Sequence, residues 1–107
     1  MKYSITLTGW AKTDIASIFN YIAVELQSRQ NAVNQLARLE KAIASLDEMP
    51  ERYRVYDHEN WCWRNLRVMP VDKYLIFYIP DKESRIVTVL RVLYGGRDID
   101  RQIENLE

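Results

Sequence analysis

Two long apolar runs in the second half of the chain constrain the fold most strongly. Residues 71–79 read VDKYLIFYI and residues 85–94 read RIVTVLRVLY, with apolar side chains at both odd and even positions. A strand directs successive side chains to opposite faces of its sheet, so both runs predict strands that are buried on two faces. The stretch between them, PDKES, is typical of a turn. The sequence therefore predicts two long, consecutive strands that pair antiparallel.

The first half of the chain predicts a strand and two helices. Residues 3–7 alternate apolar and polar side chains, which is typical of a half-buried strand. Apolar residues then recur at three- and four-residue steps over about 10–27, after the N-cap candidate Thr8, and again over about 29–48. Met49-Pro50 ends the second helix. Because the gap between the helices is very short, they must fold back as an antiparallel hairpin.

The remaining segments complete an α+β fold in a single domain over 1–107. Residues 51–60 are polar and aperiodic and predict a loop, and a third strand is expected from Trp61 onward, with Leu66 and Val68 on one face. A short amphipathic helix is expected at the C-terminus. The predicted fold is an N-terminal strand, an antiparallel helix hairpin, a three-stranded antiparallel meander that completes a four-stranded twisted sheet, and the short C-terminal helix.

The composition is that of an ordinary globular protein. The chain has 107 residues, of which 48% are apolar and 28% charged, and this length is too short for two domains. No window has the length of a bilayer-spanning helix, and the N-terminus lacks the apolar core of a secretory signal. The single cysteine, Cys62, excludes an internal disulfide. These features predict a cytoplasmic protein without a membrane segment.

Charge is balanced overall but uneven along the chain, which has 15 basic and 15 acidic residues. Residues 51–97 carry nine basic and six acidic side chains, a net charge of +3, whereas residues 98–107 carry one basic and four acidic ones, a net charge of −3. The chain is therefore not a strongly basic nucleic-acid binder, and no direct sequence-specific contact with nucleic acid is expected. An anionic partner would meet only a local cationic patch, which the acidic tail could shield.

Four arginines and a tyrosine are the candidate catalytic residues. Arg91 interrupts an apolar strand, where a buried guanidinium needs an anionic or carbonyl partner. It either forms an internal ion pair that orders the sheet or lies at the edge of a concave site. Arg64 and Arg67 would lie on opposite faces of one strand, so they cannot form a single clamp unless a bulge intervenes, and at least one of them is expected to be a solvated surface arginine. Tyr94 precedes a Gly-Gly joint, and Arg97 follows it, either presented to an anion or simply placed at a helix end.

Aromatic and metal-ligand candidates lie near residue 60. Trp61 and Trp63 would anchor a partner protein if they are exposed, although most aromatic residues of this half are expected in the core or at interfaces. His58 and Cys62 are four residues apart, but two ligands do not make a zinc site. The sequence contains no phosphate-binding loop and no hydrolase nucleophile motif. No metal and no cofactor are therefore expected.

Three segments resemble the RelE/ParE toxin superfamily and together cover nearly the whole chain. YSITLTGWAKTDIASIFNYI at 3–22 is similar to the ParE opening, with a strand, a polar turn and a helix that leads to an aromatic-Ile pair. RNLRVMPVDKYLIFYIP at 64–80 resembles the family's Arg-rich strand and the Tyr-aliphatic strand after it. RIVTVLRVLYGGRD at 85–98 resembles the family's last strand and the Gly and Arg-Asp residues that follow it. The order of the three segments makes the resemblance fairly specific.

The superfamily holds two activities. RelE-like members cut mRNA in the ribosomal A site, whereas ParE-like members poison DNA gyrase. RelE-like enzymes use Arg, Lys and a Tyr or His, and one of their arginines directly follows the aromatic residue that opens the central strand. Here that aromatic resembles Tyr74, the next residue is Leu75, and the nearby Lys73 precedes it. The resemblance therefore favours a gyrase poison from a plasmid-stabilising toxin–antitoxin pair. The alternative is an enzyme, a RelE-like mRNA interferase.

The resemblance also implies a cognate antitoxin as partner. In such pairs a disordered C-terminal segment of the antitoxin folds onto the toxin, so a hetero-oligomeric complex is expected. Apolar residues should be exposed on the outward side of the two helices when the toxin is alone. The residues expected to contact the antitoxin are Trp61, Trp63, Ile99, Ile103 and Leu106. In the isolated toxin, the last three are expected to dock on the body of the protein.

Overall fold

The computed structural model describes residues 2–56, 64–96 and 99–104, and the predicted order of elements is confirmed. Within these residues the strands are β1 (Ser4–Leu7), β2 (Arg67–Val71), β3 (Tyr74–Asp81) and β4 (Ile86–Tyr94). The α-helices are α1 (Gly9–Asn20), α2 (Arg29–Ala44) and α3 (Ile99–Glu104). Short helical turns of other types lie at Tyr21–Glu25, Ser45–Asp47 and Pro50–Arg52.

The sheet has the strand order β1-β4-β3-β2 and is mixed. The last three strands of the chain form the predicted antiparallel meander. β1 pairs with β4 in parallel, with Ser4 opposite Ile86 and Leu7 opposite Val89. Parallel neighbours need a long crossover connection, and here the helix hairpin forms its first part. The first strand of the sheet therefore lies beside the last one.

The helix hairpin covers one face of the sheet. Leu39 of α2 belongs to the same buried cluster as Ile76 of β3 and Val89 of β4, and all three are fully buried. Each such side chain contributes about 1.5–3 kcal/mol through burial. Tyr78 lies in this cluster too, and its hydroxyl donates a hydrogen bond of 2.6 Å to the carbonyl oxygen of Pro50. The hydroxyl thus ties the sheet to the turn that follows α2.

The opposite face of the sheet is covered in part by α3. Ile103 is fully buried in a second cluster, with Leu66 and Phe77. Tyr56 packs edge-on against Phe77, with ring centroids 5.2 Å apart, and its hydroxyl donates a hydrogen bond to the carboxylate of Asp100. β3 is therefore packed on both faces, as its apolar pattern predicts.

The first helix of the hairpin begins at an N-cap and ends at a residue in the left-handed conformation. The Thr8 hydroxyl accepts a hydrogen bond from the amide three residues on, which makes it the predicted N-cap. The helix predicted over 10–27 begins one residue earlier, at Gly9, and its last turn, Tyr21–Glu25, is π-helical. Gln27 then adopts a φ of 52°, which ends the helix and reverses the chain.

The second helix is shorter than predicted. The pattern predicts a helix over 29–48, but the α-helix ends at Ala44 and continues as a 3-10 turn over Ser45–Asp47. Met49 adopts a left-handed conformation, with a φ of 48°, immediately before Pro50. Proline excludes a continuing helix, so the chain turns here towards the sheet.

The described part of the third predicted strand begins at Arg67, because Asn65 has a φ of 61° and cannot continue an extended chain. Trp61, where the strand was expected to begin, lies outside the described residues. In the predicted loop over 51–60, Val55 forms a bridge with Arg67.

The apolar run at 71–79 is not one strand. β2 ends at Val71, Asp72 turns the chain with a φ of 55°, and β3 begins at Tyr74. The polar Asp-Lys pair within the run was the signal of this turn.

Candidate functional site

Arg91 is held by an internal ion pair. Its Nε donates to Oδ2 of Asp14 at 2.6 Å and its Nη2 donates to Oδ1 at 2.8 Å, with the two side chains 16% and 13% exposed. These hydrogen bonds to Asp14 raise the pKa of Arg91 above its ordinary value, so the guanidinium stays charged. Arg91 also borders a hollow of about 440 Å³ beside Trp10 and Thr13. The internal pair is therefore confirmed, and a role in chemistry stays a prediction.

Asp14 has a second partner, which is a backbone N–H of β4 beyond the point where pairing with β1 stops. Pairing between β1 and β4 stops at Val89. Beyond that point the Thr8 hydroxyl donates to the carbonyl of Leu90 at 2.8 Å, and the carboxylate of Asp14 accepts the backbone N–H of Val92 at 3.0 Å. Backbone groups at a partly buried edge need such partners. Side chains of the first helical segment thus fix α1 to the end of β4.

Arg67 is engaged by partners other than those of Arg91. Arg67 donates to the carbonyl oxygens of Glu51 and Tyr53, at 2.8 and 2.7 Å, and thereby fastens the segment before β2 to the sheet. Arg64 lies in an exposed turn before β2, so the expectation that it shares a strand with Arg67 is wrong. Arg97 lies outside the described residues.

A groove of about 940 Å³ lies between the helix hairpin and one end of the sheet. We call it the hairpin groove. It is lined by Ser17, Ile18, Tyr21, Ile22, Leu26, Asn31, Asn34, Gln35, Arg38, Asp72, Lys73, Tyr74 and Tyr94. Tyr94, a candidate from the sequence, is therefore brought together with residues that the sequence did not single out.

One wall of the hairpin groove is aromatic. The rings of Tyr74 and Tyr94 meet edge to face, with centroids 6.1 Å apart and planes at 70°. Tyr94 is 47% exposed. Burial, followed by the nearby phenols of Tyr21 and Tyr94, raises the pKa of Tyr74 above its usual value of 10.0. The phenol of Tyr74 is therefore neutral at physiological pH, and this wall offers apolar ring surface.

Another part of the hairpin groove is polar. Oδ2 of Asp72 accepts a hydrogen bond from Gln35 at 3.0 Å and one from Arg38 at 2.8 Å. The hydrogen bond from Arg38, then that from Gln35, lowers the pKa of Asp72 below 3.8. Lys73 is exposed beside this network, and the structure gives it no ion pair among the described residues. Among the described residues that line the groove, Lys73 is therefore the cation whose charge is not offset.

Apolar side chains are exposed along the helix hairpin, as expected from the sequence. Tyr21 is 55% exposed, Val24 67% and Leu26 56%, all at the turn between the two helices. Val33 of α2 and Trp10 of α1 are exposed as well. Tyr21 and Leu26 also line the hairpin groove, so the groove opens onto an apolar surface.

The residues predicted to contact an antitoxin fall into two groups. Ile99 and Ile103 dock on the sheet, as expected: Ile103 is fully buried, and Ile99 packs against the same cluster. Trp61, Trp63 and Leu106 lie outside the described residues. Contact with a partner at any of the five stays a prediction.

The described residues offer no arrangement typical of a metal centre. Over 2–56, 64–96 and 99–104, no three His, Cys, Asp or Glu side chains come together as ligands. His58 and Cys62 lie outside these ranges. In the same part of the chain, no helix combines the length and the apolar character needed to cross a membrane.

Comparison with solved structures shows a shared fold. The chain is similar to the structure described as the chromosomal ParDE TA system from P. aeruginosa, with a TM-score of 0.71 and 14% identity over 87% of this chain and 96% of that chain. It is similar to the RelBE2 toxin–antitoxin complex of Mycobacterium tuberculosis, with a TM-score of 0.64 and 20% identity over 88% and 99%. It is also similar to the archaeal RelE–RelB complex of Pyrococcus horikoshii, with a TM-score of 0.60 and 12% identity over 91% of this chain and 99% of that chain.

Comparison of the sequence is more specific. No curated protein matches it. The family model described as "ParE toxin of type II toxin-antitoxin system, parDE" matches residues 5–99, which is most of the chain. The chain therefore belongs to the ParE toxin family of type II toxin–antitoxin systems.

Proposed function

We propose that this chain is the toxin of a two-protein pair and that it poisons DNA gyrase in the cytoplasm without catalysing a reaction of its own. Membership of the ParE toxin family supports the first part. The observation that carries the choice of target is the engagement of Arg91 by Asp14 and of Arg67 by backbone carbonyls. Metal-free RNA cleavage needs cations at the scissile phosphate, and these two arginines are already engaged within the protein. The residue after Tyr74, where RelE-like enzymes resemble one another in having an arginine, is Leu75, which packs against the second core cluster. Both observations support a target other than RNA.

A cognate antitoxin completes the proposal. It holds the toxin inactive by docking in the hairpin groove and over the exposed residues at the helix turn. Tyr21 and Leu26 support this, because more than half of each side chain is exposed to water beside the groove. The sequence-predicted contacts Trp61, Trp63 and Leu106 extend the same hypothesis. Ile103 could join them only if α3 left the sheet, since it is fully buried.

Purified gyrase provides the test of the target. We expect the toxin to inhibit supercoiling of relaxed plasmid DNA and to make cleaved linear DNA accumulate, and we expect prior mixing with the antitoxin to abolish both effects. Boiled toxin is the control. Intact supercoiling at a large molar excess of folded toxin would contradict gyrase as the target.

The same purified toxin also tests the alternative that the protein is an mRNA-cutting enzyme. A RelE-like interferase would cut translated mRNA at codon-dependent positions when added to ribosomes, whereas the proposed gyrase poison leaves the mRNA intact. If cutting occurred, Arg97→Ala would be the variant to compare, because Arg91→Ala removes the partner of Asp14 and disturbs the fold. Growth unaffected by induction of the toxin alone would instead indicate a protein that only binds.

A further inference from the structure

We infer that the hairpin groove selects a partner segment carrying an apolar side chain, which packs on Tyr94, beside a carboxylate, which pairs with Lys73. This inference rests on the proposed binding of the antitoxin and specifies the chemistry of its docking segment. The occupant is a segment of the antitoxin. The inference is carried by the charge of the groove and by the way in which Tyr94 is held.

The charge of the hairpin groove favours an acidic occupant. Arg38 already donates to Asp72, so these two charges offset one another. Lys73 follows Asp72 directly, is exposed, and has no ion pair among the described residues. A carboxylate entering the groove would therefore meet a net positive charge, and a partner cation would be repelled.

The ring of Tyr94 has two close neighbours. It forms an edge-to-face pair with Tyr74, at a centroid distance of 6.1 Å. It also lies close to Gly96, where an added Cβ atom would come within 2.6 Å of Cε2 of Tyr94. Glycine at this position therefore lets the ring lie against the backbone. The φ of Gly96 is not positive, so the need for glycine here is one of space.

This arrangement makes Gly96 a positioning residue. A methyl group at Gly96 would displace the end of a flexible, 47% exposed side chain and would not meet backbone atoms. Gly96→Ala should therefore preserve the fold and move the ring of Tyr94. An aromatic ring provides contact area with little loss of side-chain entropy on binding, and a displaced ring would offer that area at a different place in the groove.

The test measures binding of the cognate antitoxin by titration calorimetry. Tyr94→Ala and Gly96→Ala should each weaken binding by about tenfold or more, and Tyr94→Phe should bind as the unchanged chain does. Gly9→Ala is the matched control for the added methyl group, because nothing lies within 4 Å of a Cβ atom there. Thermal unfolding checks that each variant is folded.

The charge is tested by reversal and rescue. Lys73→Glu should weaken binding about five- to tenfold at low salt and less at high salt. Lys12→Glu makes the same charge change at an exposed position of α1 outside the groove, and it should have little effect. An antitoxin in which the partner carboxylate is changed to lysine should bind the Lys73→Glu toxin better than it binds the unchanged toxin.

The outcomes distinguish the two hypotheses. If the unchanged toxin does not bind the antitoxin, both the proposed neutralisation and this inference are wrong. If it binds tightly but Tyr94→Ala, Gly96→Ala and Lys73→Glu bind equally well, the antitoxin docks elsewhere and only this inference is wrong. If Lys73→Glu binds more weakly but the lysine variant of the antitoxin does not restore binding, the claim that a partner carboxylate pairs with Lys73 is wrong.

Discussion

Removal of the Asp14 carboxylate should destabilise this protein more than any change of a surface charge. Asp14→Ala eliminates two hydrogen bonds from the guanidinium of Arg91 and one from the N–H of Val92. It also leaves a cation that is only 16% exposed without its counter-charge. Breaking a buried pair in this way costs about 3–5 kcal/mol of unfolding free energy. A domain of this size has only about 5–15 kcal/mol in total.

Urea denaturation followed by tryptophan fluorescence measures the effect. With a slope of about 1–2 kcal/mol per molar urea, the midpoint of Asp14→Ala should fall by about 1.5 M or more. Asp47→Ala is the matched control, because the Lys2–Asp47 pair is 3.9 Å long and its side chains are 72% and 35% exposed, so its loss should cost less than about 1 kcal/mol.

A double variant tests the physical reason. Asp14→Ala combined with Arg91→Met removes the buried cation together with its partner, so it should be more stable than Asp14→Ala alone. It should remain below the unchanged chain by about 1–3 kcal/mol, because the N–H of Val92 stays unpaired. A loss of less than 1 kcal/mol in Asp14→Ala, or a double variant that loses the sum of the two single changes, would refute this account.

Two further predictions concern pH. Burial raises the pKa of Tyr78 to about 12, so the contribution of this phenol to stability should be complete below pH 10 and be lost as the pH rises from 10 to about 12. Tyr78→Phe should lack this decline and should lose about 1–3 kcal/mol at neutral pH, since the carbonyl of Pro50 stays buried without its donor. The hydrogen bond from Arg38 lowers the pKa of Asp72 below 3.8, so its contribution is complete above pH 3.8 and is lost as the pH falls through the lowered pKa. Asp72→Asn should flatten that acid limb in thermal unfolding experiments, and equal slopes below pH 4 would contradict the assignment.

Elements whose pattern repeats within a few residues could be predicted from the sequence. The apolar steps of α1 and α2 and the short gap between them predict the hairpin, because helical spacing and loop length are local properties. Thr8 could be recognised as a cap for the same reason. The Asp-Lys pair was the one signal of the turn at Asp72, and it was easily overlooked because one long strand and two strands joined by a tight turn both give a long apolar run.

Contacts between distant parts of the chain could not be predicted. Nothing in the sequence pairs Arg91 with Asp14, which precedes it by 77 residues and resembles any other acidic residue on an amphipathic helix. The hairpin groove has the same difficulty, because its walls come from α1, α2 and the ends of β3 and β4. A side chain at position 96 would clash with the ring of Tyr94, and this steric reason for glycine appears only in the three-dimensional structure, since the φ of Gly96 is not positive.

The parallel pairing of β1 with β4 has a consequence for synthesis on the ribosome. Thr8 and Leu90, which are joined by a hydrogen bond, are 82 residues apart, so β1 has no neighbouring strand until the chain has been synthesised as far as β4. Pairing of segments so far apart is slow, because a long loop must close first. A nascent copy therefore carries an unfinished sheet until β4 has been synthesised.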